Sequence, residues 1–184
     1  MNIRTERLLL RPLKLSDASD VQRLAGDRDV ASTTRNIEHP YEDGMAERWI
    51  RTCQEKSDAG ELINFAIILH SGGSFLGAIE LHPDIGARDA ELGYWVGKPY
   101  WNQGYATEAV KAVVYHGLIE LKMDRVYAAH FTRNPASGRV MQKAGMLHEG
   151  FLKGHTEKWG VFEDLELYGV TREQFGRRGS TGSP

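Results

Sequence analysis

A single cysteine, Cys53, stands in the whole sequence, so no intramolecular disulfide can form and no thiolate cluster for zinc can be built. No run of 18 apolar residues occurs, and no charged segment leads into an apolar stretch of signal-peptide form. A membrane-spanning helix and a secretory leader are therefore not expected, no membrane partner is implied, and the cytoplasm is the expected compartment. Lys and Arg number 23 against 25 Asp and Glu, for a formal charge of -2, and neither sign gathers in blocks. That distribution gives no electrostatic footprint for nucleic acid. The sequence has no G-x-S-x-G elbow for a hydrolase triad, and neither a G-x-G-x-x-G nor a Walker loop for dinucleotides or ATP. Its seven histidines (39, 70, 82, 116, 130, 148 and 155) show no metal-ligand spacing, so no metal is expected.

What is present is a mixed pattern with no internal repeat. The 184 residues, 41% hydrophobic, suit one domain with a real core. That domain is expected over residues 1–175. Residues 176–184 lack apolar side chains and are expected to be a disordered tail. Residues 7–13 are expected as a first strand, closed by Pro12, and Ser16-Asp17 can cap a helix carrying Val21, Leu24 and Ala25. Residues 31–43 are polar, contain Pro40 and are expected as a loop long enough to shape a substrate entrance. A helix around Met45, Trp49, Ile50 and Cys53 follows. Residues 62–69 and 75–82 are strand-like arms on either side of Ser71-Gly-Gly-Ser74, and with a strand over residues 91–96 they predict three consecutive antiparallel strands.

The rest of the chain is organised around residues 90–110. Gly97 and Pro99 end the strand, and an apolar helical pattern begins after Gly104, with Ala109, Val110, Val113, Val114, Leu118 and Leu121 as its buried stripe to about Met123. A polar loop thus feeds a helix N-terminus, whose free N–H groups and positive dipole end suit an anion, a phosphate above all. A strand over residues 125–131 follows. Asn134-Pro135 then reads as a helix start, with Asn134 as cap, Pro135 in the first turn and Gly145 as the stop. Two more strand-like segments lie near residues 146–152 and 162–170. The order predicts an α/β fold of mixed type with one β-α-β crossover around the phosphate loop.

Two motifs carry a resemblance to the GNAT N-acetyltransferases, and most to their branch that acetylates ribosomal-protein N-termini. The first is Glu91-Leu-Gly-Tyr-Trp-Val96 followed by Trp101-Asn-Gln-Gly-Tyr-Ala-Thr-Glu-Ala109. The second is Asn134-Pro-Ala-Ser-Gly-Arg-Val-Met-Gln-Lys-Ala-Gly-Met146 with Glu149-Gly150. The resemblance spans residues 3–175. It implies a central, mostly antiparallel twisted sheet of about seven strands flanked by about four helices. It also implies acetyl-CoA as co-substrate, bound by Trp95, Val96, Gln103, Gly104, Tyr105, Ala106, Thr107, Asn134, Ser137 and Lys143. The acceptor is then a primary amine: a protein N-terminus, a polyamine, an amino acid or an antibiotic. A homodimer is common among such relatives. The family's usual proton-donating tyrosine falls here on Met141, which has no proton to give, and leaves Ser137 or an ordered water as donor.

Acetyl transfer to an amine needs a group to take the amine's proton, a donor for the carbonyl oxygen, and a proton for the leaving thiolate. Glu91 is the first choice of base and Glu80, on the preceding strand, the second. The competing expectation for Glu91 is an ion pair with Arg125 or Lys153. The oxyanion donor is expected to be a backbone N–H near Tyr94 to Val96, where the resemblance implies that strands splay. Cys53 lies outside both motifs, which gives no support to a covalent acetyl-enzyme. The rival to an enzyme is a non-catalytic acyl-CoA sensor or docking module.

Overall fold

The computed structural model describes residues 1–84 and 86–180, the side chains of 178–180 excepted. Its strands are β1 (Ile3–Arg4), β2 (Leu8–Arg11), β3 (Ile63–Leu69), β4 (Phe75–Asp84), β5 (Asp89–Val96), β6 (Arg125–Phe131), β7 (Leu147–Lys158) and β8 (Val161–Thr171). They form one sheet in the order β1-β2-β3-β4-β5-β6-β8-β7. The helices are α1 (Ala18–Ala25), α2 (Arg28–Ser32), α3 (Met45–Asp58), α4 (Tyr105–Tyr115), α5 (Pro135–Lys143) and α6 (Arg172–Ser180).

The central strands serve two apolar layers at once. Along β3, Phe65 and Ile67 enter a core shared with α4, whereas Ala66 and Ile68 enter a second core shared with α1 and α3. Period-two alternation therefore gives a strand that is apolar throughout because both faces are covered. On α4 the stripe Ala109, Val110, Val113 and Val114 is fully buried, and it continues through a π-helical turn at His116–Glu120 with Leu118.

All neighbouring strands pair antiparallel except β5 and β6, which run parallel for three residue pairs, Asp89 with Arg125, Ala90 with Val126 and Glu91 with Tyr127. Beyond Glu91 the two strands part. β5 stays with β4 as far as Val96, and β6 stays with β8 as far as Phe131. The sheet therefore opens between two well-paired halves. Gly77 fixes one side of this opening: a Cβ there would stand 2.1 Å from the Trp95 carbonyl oxygen.

Several expectations change. The Asp17 carboxylate does not cap α1; it accepts two hydrogen bonds from the Arg11 guanidinium (2.7 and 2.8 Å) and one from the Lys14 N–H (2.8 Å). Residues 31 and 32 end α2 rather than open a loop, because Asp27 caps that short helix by accepting from the Asp29 N–H at 2.8 Å. Asn134 stands at the cap position of α5, but its side chain makes no capping bond. From residue 176 the backbone continues as α6 to Ser180 where a tail was expected; residues 181–184 lie outside the described residues.

Candidate functional site

A cavity of about 1020 Å³ occupies the opening and reaches both layers, with Trp49 and Cys53 of α3 on one side and Ala106, Ser137 and Val140 of α4 and α5 on the other. The backbone of β5 is aimed into it. Gly97 N–H bonds to Leu76 O at 2.8 Å on the β4 side. Hydrogen-bonding direction alternates along an antiparallel strand, so the N–H and C=O groups of Leu92, Tyr94 and Val96 face away from β4. The Val96 carbonyl is already taken, accepting from the Trp101 indole N–H at 2.6 Å. Trp101 thus closes the end of the opening, and the N–H groups of Tyr94 and Val96 remain as donors turned toward it.

One end of the cavity is a helix N-terminus. Gly104 precedes α4 with φ of 81°, and the first backbone bond of the helix runs from Glu108 N–H to Gly104 O at 3.0 Å. The N–H groups of Tyr105, Ala106 and Thr107 lie ahead of it and have no intrahelical acceptor. Arg7, the residue before β2, braces this loop. Its guanidinium donates to Glu108 Oε2 (2.7 Å) and to Gln103 O (2.9 Å), and its backbone N–H to Glu108 Oε1 (2.8 Å). Burial tends to raise the Glu108 carboxyl, but bonds from Thr5 and Arg7 hold it below the ordinary range. A Cβ on Gly104 would stand 3.3 Å from Arg7 Nη2 in a left-handed backbone that disfavours side chains. Free amides and a glycine-lined approach fit a pyrophosphate.

The α5 side presents hydroxyl, amide and cationic groups. Ser137 Oγ stands 2.6 Å from the Tyr94 hydroxyl, which also lies 3.2 Å from Ser137 O. Burial pushes the Tyr94 phenol well above its usual value, against a smaller lowering by the Ser137 bond, so it stays protonated. Arg139 and Lys143, four residues apart and exposed, line the cavity beside Asn134. Met141 is buried in the core.

The opposite layer carries carboxylates. Glu80 pairs with Gly93 and His82 with Glu91 across β4 and β5, so all of these face the α1–α3 side together. Gly93 gives the carboxylate room, since a Cβ there would stand 3.2 Å from Glu80 Oε1. His82 Nε2 lies 3.0 Å from that same oxygen. The Glu80 contact raises the His82 pKa above its ordinary value against a smaller lowering by burial, and Glu91 adds to the rise. Glu91 is ion-paired with Arg35 of the 33–44 loop, not with Arg125, which bonds Asp89 (3.2 Å) and Glu149. Burial, with Glu80 nearby, pushes the Cys53 thiol up to about 12.

Of the residues expected from the sequence, Glu80, Glu91, Trp95, Val96, Gly104, Tyr105, Ala106, Thr107, Asn134, Ser137 and Lys143 all line this cavity. Gln103 does not line it: its side chain donates to Pro99 O at 2.9 Å and its carbonyl accepts from Arg7. Lining residues whose side chains had no expected role include Arg35, His82, Tyr94 and Arg139. Strand alternation signals His82, two residues after Glu80 and hence on the same face. Arg35 has no such local signal. Among the described residues no group of three or more His, Cys, Asp or Glu is placed to hold a metal ion, and no helix is long and apolar enough to cross a membrane.

The family model described as "Acetyltransferase (GNAT) domain" matches residues 7–147. The uncharacterized N-acetyltransferase YnaD of Bacillus subtilis is 32% identical over 176 residues, covering 95% of this chain and 99% of that protein. A GNAT-family acetyltransferase structure from Bacillus anthracis superposes with a TM-score of 0.84 at 28% identity, covering 94% of this chain and 99% of the other. Mycobacterium smegmatis RimJ, solved in complex with CoA-disulfide, shares the fold at a TM-score of 0.81 and 23% identity, over 94% of this chain and 89% of its own.

Proposed function

The chain belongs to the GNAT acetyltransferase family and is an N-acetyltransferase, and from that premise we propose that it moves the acetyl group of acetyl-CoA to a primary amine by direct attack in a ternary complex. Residues 1–175 act as one catalytic domain in this proposal. The observation that carries it is the opening between β5 and β6, whose cavity joins unpaired α4 amides in one layer to the Glu80–Glu91 carboxylates in the other.

When bound, acetyl-CoA supplies a thioester carbonyl and a thiolate leaving group. The amides of Tyr105, Ala106 and Thr107 hold its pyrophosphate, and Lys143 and Arg139 attract the remaining phosphate charge. Asn134, free of a capping bond, is available to the pantetheine arm. The Tyr94 N–H donates to the carbonyl oxygen. Ser137 donates a hydrogen bond to the departing sulfur, and the thiolate takes its proton from water.

The acceptor enters past the 33–44 loop. An α-ammonium has a pKa of about 7.7 to 8.0 and a lysine about 10.4, so the acceptor must lose a proton before it attacks. Glu80 takes that proton. Glu91 is committed to Arg35 and orients the entrance loop instead. Cys53, protonated at neutral pH, is unsuited to attack, which favours direct transfer over an acetyl-enzyme. A protein N-terminus is the acceptor class favoured by the likeness to the ribosomal-protein branch; a polyamine, an amino acid and an antibiotic are the others to be assayed.

The test is to follow free thiol from acetyl-CoA in the presence of peptides with varied N-terminal residues, polyamines and amino acids. Amine-dependent thiol release with a matching acetylated product is expected. CoA binding by calorimetry with no thiol release across the panel would make the protein an acyl-CoA sensor.

A further inference from the structure

We propose that His82 is the proton exit of the acetyl-transfer site, taking the acceptor's proton from Glu80 and delivering it to solvent. The inference rests on Glu80 as the base, as argued above, and adds a residue that acts through Glu80.

Three observations place His82 in this position. Its Nε2 is 3.0 Å from Glu80 Oε1, the oxygen that lies against Gly93 next to the reaction-facing Tyr94. Strand register holds the two side chains on one face, since residues 80 and 82 pair with 93 and 91 in an unbroken ladder. The His82 side chain is 45% exposed, against 26% for Glu80, so the ring is the more open of the two groups.

The chemistry also needs an onward step for the proton. A carboxylate is a weak base, with a reference pKa near 4.3 against about 6.5 for imidazole, so a proton held on Glu80 moves downhill to a neutral histidine. The acceptor N–H bond breaks as the Glu80 O–H bond forms. That proton then passes to the Nε2 lone pair of His82, giving an imidazolium. The ring loses its Nδ1 proton to water, and solvent exchange at the exposed ring restores the accepting tautomer. No oxidant or second reactant is involved.

The charged groups around His82 set when the route is open. Glu80 on its own strand and Glu91 opposite it on β5 favour the imidazolium, and Lys56 from α3 opposes it. Arg35 on the entrance loop faces Glu91 and offsets part of its charge. Only neutral His82 can accept, so turnover rises with pH as the ring deprotonates.

The experiment measures kcat against pH, over about pH 5 to 9, for the full chain with saturating acetyl-CoA and the fastest peptide of the acceptor panel. His82→Gln should lower kcat by about tenfold, leave CoA affinity within twofold of the parent, and abolish the acid limb. His82→Ala should regain rate on addition of imidazole, which a packing role would not allow. NMR titration of the His82 ring in the parent should give a midpoint matching the acid limb, and Glu80→Gln should move that midpoint to lower pH. Unchanged kcat and an intact acid limb in His82→Gln, with Glu80→Gln inactive, would overturn the exit role alone. Full activity in Glu80→Gln would instead remove Glu80 as the base, and the exit role with it.

Discussion

The Tyr94 hydroxyl and Ser137 Oγ stand 2.6 Å apart, tying β5 to α5 beside the opening in the sheet. Tyr94 has one proton and two acceptors in reach, Ser137 Oγ and, at 3.2 Å, Ser137 O. Donation to Oγ leaves the serine hydrogen free for a departing sulfur and strengthens it as a donor. Tyr94→Phe should therefore lower kcat by up to about tenfold, the rate equivalent of one hydrogen bond of roughly 1 kcal/mol, with CoA affinity unchanged. In a Ser137→Ala background the same change should have no further effect on kcat. Additive losses in steady-state kinetics would show that Tyr94 acts elsewhere.

Gly104 is the hinge of the phosphate loop. Its φ of 81° is costly for any side chain, and a new Cβ would press on Arg7 Nη2 at 3.3 Å. Gly104→Val should raise the Kd for CoA by about tenfold or more, given a strain of roughly 1–2 kcal/mol at such a backbone. Calorimetric titration with CoA checks this without any acceptor, and an unchanged Kd would refute the pyrophosphate position.

The phosphate loop, the β-α-β unit and the α5 start were legible because their signals are local: turn residues, a 3.6-residue stripe and a cap-proline pair. The pairings that tune them were not. Arg7 meets Glu108 from 101 residues away, and Arg35 meets Glu91 from 56. Such contacts follow from strand order and register, which no local pattern encodes. Arg125, offered with Lys153 as a partner for Glu91, is held by Asp89 and Glu149, and Arg35 takes that place. Asn134 shows the reverse case: the backbone took the cap position that the sequence signalled, while the side chain stayed out of the cap.

Asp17 gives a pH-dependent stability term. Burial alone would raise its carboxyl, but bonds from Arg11 and Lys14 outweigh burial and hold it below the ordinary value. A depressed folded-state pKa stabilises the fold above the unfolded value, about 3.9, and that stability is lost as pH falls through the lower folded value. Asp17→Asn should cost about 1–3 kcal/mol at neutral pH by leaving the Arg11 guanidinium short of its partner. Urea unfolding of parent and variant should converge as the pH drops below about 4.

Gly77 tests whether the opening depends on backbone contact alone. The residue sits where β4 meets the last residues of β5, and a Cβ would fall 2.1 Å from Trp95 O and 2.8 Å from Val96 Cα. Neither neighbour is a flexible side chain that can swing aside, so the strands must separate. Gly77→Ala should cost about 3 kcal/mol, typical of overpacking against rigid structure, and shows as a lower urea midpoint with an unchanged slope.

Glu91 and Glu80 should separate kinetically. Both line the cavity and share a sheet face, but Glu91 is paired with Arg35 on the entrance loop, whereas Glu80 contacts His82 and lies against Gly93. Losing a base slows the chemical step whatever the acceptor concentration, so Glu80→Gln should lower kcat by about 10²-fold or more. Losing the loop's anchor weakens acceptor binding in ground and transition states alike, so Glu91→Gln should raise the acceptor KM several-fold with kcat nearly kept. Arg35→Ala should reproduce the Glu91→Gln effect, and the double variant should be no worse than either single one, because each removes the same pair. A Glu91→Gln variant that loses kcat at saturating acceptor, while Arg35→Ala keeps it, would transfer the base role from Glu80 to Glu91.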